Sequence, residues 1–135
     1  MKSFKLEMQR IGSLFFIKVY FYTFKTQQYK ECWIGLDTGA ETTTLSKDIL
    51  YNLEYNVSDY PSKRIIAATK KEYVNVVNLE KLKLGDFELN NIEVNALDFE
   101  NSFISGVLGL NVLTKFDVNF LFSQNLIEFT PRKDT

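Results

Sequence analysis

The chain of 135 residues contains no histidine. Its absence removes Ser–His and Cys–His nucleophile pairs, and with them the zinc hydrolase motifs that need histidine ligands. Any hydrolytic chemistry therefore falls to carboxylates or lysines. Cysteine is almost as scarce: Cys32 stands alone, which excludes an internal disulfide and suits a reducing compartment. Charge of one sign is missing too, since 16 basic residues offset 17 acidic ones to a net −1. That balance leaves no electrostatic footprint for nucleic acid. Long apolar runs are also lacking. Leu14-Phe15-Phe16-Ile17 is cut by Lys18, is far too short to span a bilayer and is followed by no small-residue cleavage site. Neither a membrane span nor a secretory leader is expected, and the expected location is the cytoplasm. With no repeat, linker or low-complexity segment, the expectation is one domain over residues 1–135.

What the chain does have is apolar and aromatic bulk. Hydrophobic residues make up 45%, with 12 Phe and 7 Tyr, the composition of a packed, β-rich protein. Period-two patterns dominate. Residues 4–10 alternate weakly. Leu14 to Phe24 alternates strongly but is apolar on both parities, which predicts a strand covered on both faces. Lys25-Thr26-Gln27-Gln28 is a polar turn, and Tyr29 to Leu36 is the expected antiparallel partner. Thr42 to Leu45 is a further strand, after which Ser46 can cap a short helix over Lys47–Asn52. Pro61 keeps the loop from Asn56 to Ser62 out of any central strand. Lys63–Thr69 and Tyr73–Leu79 read as a hairpin with Lys70-Lys71-Glu72 at its tip. Leu82 and Leu84 are out of phase with Val77 and Leu79, so a bulge is expected near Glu80-Lys81. Gly85-Asp86 turns the chain into a strand over Phe87–Leu97. After the polar loop Asp98–Ser105, the apolar Gly106-Val107-Leu108-Gly109-Leu110 leads into a short helix that Asn111 is expected to cap. Strands at Val118–Phe122 and Leu126–Phe129 follow. The sum is a mostly antiparallel all-β domain with two short helices.

Within this frame one stretch carries chemistry. Trp33-Ile34-Gly35-Leu36 is apolar and delivers Asp37 to the turn Asp37-Thr38-Gly39, beyond which Ala40-Glu41-Thr42-Thr43-Thr44-Leu45 becomes extended again. A carboxylate at the end of a buried strand is costly unless hydrogen-bonded or used. Gly39 permits a tight turn that brings peptide N–H groups towards the carboxylate, with the Thr38 hydroxyl nearby. Such a turn needs no metal. Taken alone, Asp-Thr-Gly is equally well an Asx turn between two strands.

A second motif accompanies it. Val107-Leu108-Gly109-Leu110-Asn111-Val112-Leu113 is two apolar residues, Gly, a variable residue, Asn, then two apolar residues. Together with Gly35-Leu36, Asp37-Thr38-Gly39-Ala40, Thr43 and Leu45, it resembles the signature pair of the retropepsin-like aspartic proteases, over roughly residues 14–130. The resemblance implies an all-β retropepsin-like fold, a closed or half-open barrel with one or two short helices, and an aspartic endopeptidase acting on a peptide or protein substrate without cofactor or metal. On it, Asp37 is the catalytic carboxylate, Thr38 bonds across a twofold axis, and Gly39 and Ala40 line the substrate backbone. Glu41 falls where the family often has an acid contacting substrate main chain, although a solvated loop acid is the competing reading. The hairpin at 63–79 takes the place of the family's flap, with Ala68, Thr69 and Lys70 against substrate. Its tip, Ala67 to Glu72, lacks the glycines that make retroviral flaps mobile. Thr43, Gly109 and Asn111 support the Asp37 turn.

Hydrolysis by this route needs two carboxylates sharing a proton. The chain has one Asp-Thr-Gly; Asp134-Thr135 has no Gly after it, and Asp48, Asp59, Asp86, Asp98 and Asp117 lack the turn. A working site therefore calls for a homodimer that sets Asp37 opposite its copy. Two other readings stay open: the same fold kept as a peptide-binding or assembly module without turnover, and a β-barrel interaction domain in which the Asp turn is only structural. Cys32, sharing parity with Ile34 and Leu36, reads as a small core residue, and Tyr73 as a strand-edge aromatic.

Overall fold

The alternating segments build ten strands among the described residues of the computed structural model, which covers residues 2–67, 70–99 and 104–133. In chain order they are β1 (Phe4–Ile11), β2 (Leu14–Tyr22), β3 (Tyr29–Leu36), β4 (Thr43–Ser46), β5 (Ser62–Ala67), β6 (Lys70–Leu84), β7 (Phe87–Leu97), β8 (Gly106–Leu108), β9 (Phe116–Leu121) and β10 (Leu126–Pro131). Two short helices interrupt them, α1 (Lys47–Asn52) after β4 and α2 (Leu110–Leu113) after β8. Among the described residues no helix is long and apolar enough to cross a membrane.

The strands hydrogen-bond in the order β5-β6-β7-β4-β8-β3-β2-β1-β10-β9. β6 also pairs with β2, Tyr20 with Lys83 and Phe21 with Leu82, so the sheet returns on itself between these two strands. Pairing is antiparallel except at β3–β8 and β4–β7. The first arises where β8, late in the chain, is inserted between β3 and β4; the second lies on the other side of β4, where it meets β7.

Inside the closed part lie Ile17, Val19 and Phe21 of β2, Ile34 of β3, Leu45 of β4, Leu79, Leu82 and Leu84 of β6, Val94 of β7 and Leu108 of β8. The expectation that β2 is covered on both faces holds for one parity only. Phe16 is buried on the second face, but Lys18, Tyr20 and Tyr22 are half-buried there. Lys18 lies over the Trp33 ring at 5.6 Å and Tyr22 packs on Tyr29 at 5.0 Å, so polar ends shield that face instead of a second layer. At the other end of the sheet, Phe4, Phe87, Phe116 and Phe129 pack ring against ring at 5.2–6.1 Å.

Three local readings need correction. Lys70, Lys71 and Glu72 are not the hairpin tip: they belong to β6, pairing with Ala67, Ile66 and Ile65 of β5. The phase change near Glu80 is real but shared by both strands: buried positions shift from Val77 and Leu79 to Leu82 and Leu84 on β6, and from Leu89 to Ile92 and Val94 on β7. Register is unbroken, with Leu79 opposite Ile92 and Lys81 opposite Asn90, so no residue is inserted. Asn91 takes a left-handed conformation at the break, and the Glu80 N–H donates to the Tyr55 hydroxyl at 2.8 Å. Finally, α2 begins after Gly109, and Asn111 sits inside its first turn with its side chain engaged elsewhere. Ser46 does cap α1, accepting the Ile49 N–H at 3.1 Å.

Candidate active site

The site begins where β3 runs out. Gly35 pairs with Phe16 of β2 and Val107 of β8, and Leu36 with Leu108 of β8. The Asp37 N–H extends that ladder by one bond, to the Leu108 carbonyl at 3.0 Å. Asp37 is thus pinned on its main chain and emerges half-buried at the end of the closed sheet.

The carboxylate is held by the turn that follows. Asp37 Oδ1 accepts the Gly39 N–H at 2.9 Å, and the Asp37 carbonyl accepts the Ala40 N–H at 3.2 Å. Gly39 is not in the left-handed region. Its value here is room: a Cβ would stand 3.2 Å from Asp37 Oδ1. Thr38 is exposed, and among the described residues no hydrogen bond engages its hydroxyl.

Behind the turn, two glycines and an Asn–Thr pair join β4, β8 and α2. Thr43, fully buried, donates both its N–H and its hydroxyl to Asn111 Oδ1, each at 2.8 Å. The same hydroxyl accepts the Gly109 N–H at 3.0 Å, and Asn111 Nδ2 donates to the Glu93 carbonyl of β7 at 2.8 Å. Leu110 and Asn111 N–H groups reach the Ala40 and Glu41 carbonyls at 2.8 and 3.1 Å. Both ends of the loop 40–43 are therefore tied to the segment 109–111. No side chain fits at Gly109, where a Cβ would lie 2.6 Å from the Thr42 carbonyl carbon, or at Gly106, where it would lie 2.6 Å from the Thr44 oxygen.

A cleft of about 620 Å³ opens beside the turn, lined by Gly39, Ala40, Glu41, Thr42, Thr44, Asn95 and, from β5, Lys63, Arg64 and Ile65. Sequence reasoning placed substrate contacts at Ala68, Thr69 and Lys70. Ala68 and Thr69 lie outside the described residues, and for Lys70 the description extends to its backbone, opposite Ala67. The β5 residues were missed because nothing local distinguishes Lys63 and Arg64 from ordinary edge-strand cations. Gly106 was missed as well, although glycine in a three-residue strand signals close backbone approach. Cys32 is half-buried and packs against the core, and burial pushes its thiol up from the ordinary value.

With this geometry in view, comparison with known sequences is decisive for the family. The family described as Aspartyl protease matches residues 23–112, a span that runs from β3 into α2 and holds the Asp37 turn and all but the last residue of the second motif. The chain belongs to the aspartyl protease family. A crystal structure of a retropepsin-like aspartic protease from Rickettsia conorii is similar to this aspartyl protease domain with a TM-score of 0.69. At 16% identity the match covers 95% of this chain and 90% of that one, so the likeness is one of fold. The all-β retropepsin-like architecture expected from the paired motifs is the one found. A search of curated protein sequences finds no match.

Proposed function

We propose that this aspartyl protease domain is an endopeptidase that works as a twofold-symmetric homodimer, hydrolysing peptide bonds with water activated between two Asp37 carboxylates. One observation carries the reading: Asp37, its Oδ1 locked by the Gly39 N–H, opens the turn whose next residues, Gly39, Ala40 and Glu41, line a cleft of about 620 Å³. The other described aspartates lie elsewhere, Asp48 on α1, Asp59 in a 3₁₀ turn, Asp86 in the β6–β7 turn, Asp98 after β7 and Asp117 on β9. The second carboxylate is therefore assigned to a second chain.

The chemistry follows from two acids at close range, which hold one proton between them because both cannot ionise, the established behaviour of aspartic proteases. The ionised Asp37 takes a proton from water as the water oxygen bonds to the scissile carbonyl carbon. The protonated Asp37 gives its proton to the carbonyl oxygen, forming a neutral gem-diol. Collapse returns a hydroxyl proton to a carboxylate, breaks the C–N bond and protonates the leaving amine. Thr38 is assigned a hydrogen bond across the axis, Gly39 and Ala40 the substrate main chain, and Glu41 a further main-chain contact. Thr43, Gly109 and Asn111 keep the turn in place without touching the reacting atoms.

The test is cleavage of a fluorogenic peptide by purified protein. Activity is expected at mildly acidic pH, with loss of at least about a thousandfold in Asp37→Asn and inhibition by a statine-type mimic of the gem-diol. Cleavage that survives Asp37→Asn excludes the mechanism. Peptide binding with no turnover in the wild type would instead favour a module that keeps the fold and not the reaction.

A further inference from the structure

Two cations stand at the cleft without an ion-pair partner among the described residues. Lys63 and Arg64 are consecutive on β5, the first strand in the sheet order, and both are exposed and line the cleft opposite Gly39, Ala40 and Glu41. Among the described residues the ion pairs are Lys18–Glu31 at 3.6 Å and Lys47–Asp98 at 3.5 Å; neither cation takes part. Consecutive strand residues point to opposite faces. Both nevertheless line the cleft, together with Ile65, so β5 forms one of its walls.

The surrounding charges do not cancel this pair. Glu41 shares the cleft lining, so two cations face one carboxylate there. On β6, Glu72 is opposite Ile65 and Tyr73 opposite Arg64, but no described carboxylate comes within salt-bridge distance of Lys63 or Arg64. From β7 the cleft receives the neutral Asn95. A bound peptide covers this wall and takes water from it, which strengthens any charge-assisted bond made there.

We propose that the cleft selects peptides carrying an acidic side chain, Asp or Glu, at the position that lies against Lys63 and Arg64. The inference deepens the endopeptidase reading and rests on it for turnover, whereas peptide binding reports on it separately. In a twofold-symmetric pair the cation wall occurs twice, so the acidic preference extends to both sides of the scissile bond.

The experiment uses three labelled peptides with one apolar centre and flanking Glu, Gln or Lys. Binding to the full-length Asp37→Asn protein is followed by anisotropy, and cleavage by the wild type is compared at a pH of about 5.5, where a free Glu is ionised. The Glu peptide is expected to bind about tenfold more tightly than the Gln peptide at low salt, with the gap closing at high salt. Lys63→Gln/Arg64→Gln in the Asp37→Asn background should bring that ratio to about one, and Lys63→Glu/Arg64→Glu should turn the preference towards the Lys peptide. Equal binding of all three peptides, or a preference that neither double variant alters, overturns the proposal and leaves the two cations as guards of an exposed sheet edge. A Glu preference in binding with no cleavage by the wild type upholds the specificity and rejects the endopeptidase; no binding and no cleavage rejects both.

Discussion

At the scale of single residues, the Asp37 turn depends on atoms far away in sequence. Asn111 Oδ1 accepts two bonds from Thr43, and its amide satisfies the Glu93 carbonyl. Truncation in Asn111→Ala leaves the buried Thr43 N–H without an acceptor and unties β4 from α2. The expected cost is about 2–3 kcal/mol in chemical denaturation. Asn111→Asp keeps the acceptor for Thr43 but turns an acceptor oxygen towards the Glu93 carbonyl, so it should lose less stability than Asn111→Ala while not matching wild type; equal losses in the two variants would contradict this account. The glycines at 39, 106 and 109 act through room and not through special dihedrals, since none is in the left-handed region.

At the scale of elements, two side chains from the segment after α1 hold strands that are not their neighbours in the chain. Tyr55 is buried, and its hydroxyl meets the Glu80 N–H where β6 and β7 change face together. Tyr55→Phe is expected to lower stability by about 1–2 kcal/mol while leaving the secondary structure seen by circular dichroism unchanged. An unchanged denaturation midpoint would mean that water replaces the hydroxyl. Glu54 does a similar service for the β2–β3 turn, where Oε1 accepts the Lys25 and Thr26 N–H groups at 2.9 Å each. The Thr26 N–H, above all, holds this carboxyl below its usual range. A group depressed in the folded state stabilises above its unfolded value, about 4.3 for Glu, and stops doing so as pH falls through the folded value. Thermal melts should show Glu54→Gln less stable than wild type at neutral pH, with the gap closing as pH falls below the unfolded value. A gap that stays constant with pH would assign the loss to something other than the charge.

At the scale of the molecule, the fold provides half of the proposed reaction centre. β1 and β10 are each flanked by strands of their own chain, β1 by β2 and β10, and β10 by β1 and β9. Pairing of β1 or β10 with a second chain would have to displace one of these pairings, whereas the outer edge of β9 pairs with no other described strand. The shared centre has a direct test in subunit mixing. Equal amounts of wild type and Asp37→Asn, unfolded and refolded together, should retain about one quarter of the cleavage activity, because random pairing leaves that fraction with both carboxylates. Retention of one half would show each chain acting alone.

What was legible in the sequence was what local forces decide. Period-two alternation marked the strands, Ser46 marked the start of α1, and Asp-Thr-Gly marked a turn closed by its own carboxylate. The paired motifs carried the family and the fold. Partners across long separations were another matter. Alternation says which face a residue presents and not which strand lies beside it, so it was silent on β8 threading between β3 and β4 in parallel with β3. Nor did it reveal that Thr43 would meet Asn111 through side chains or that Lys63 and Arg64 would border the cleft. Those neighbours are chosen when the sheet closes on itself and buries a common core, an event that rewards contacts between distant segments only after all of them have arrived. The sequence by itself therefore determined where an acid could be held rigid; closure of the sheet decided what stands behind that acid and which charges line the cleft beside it.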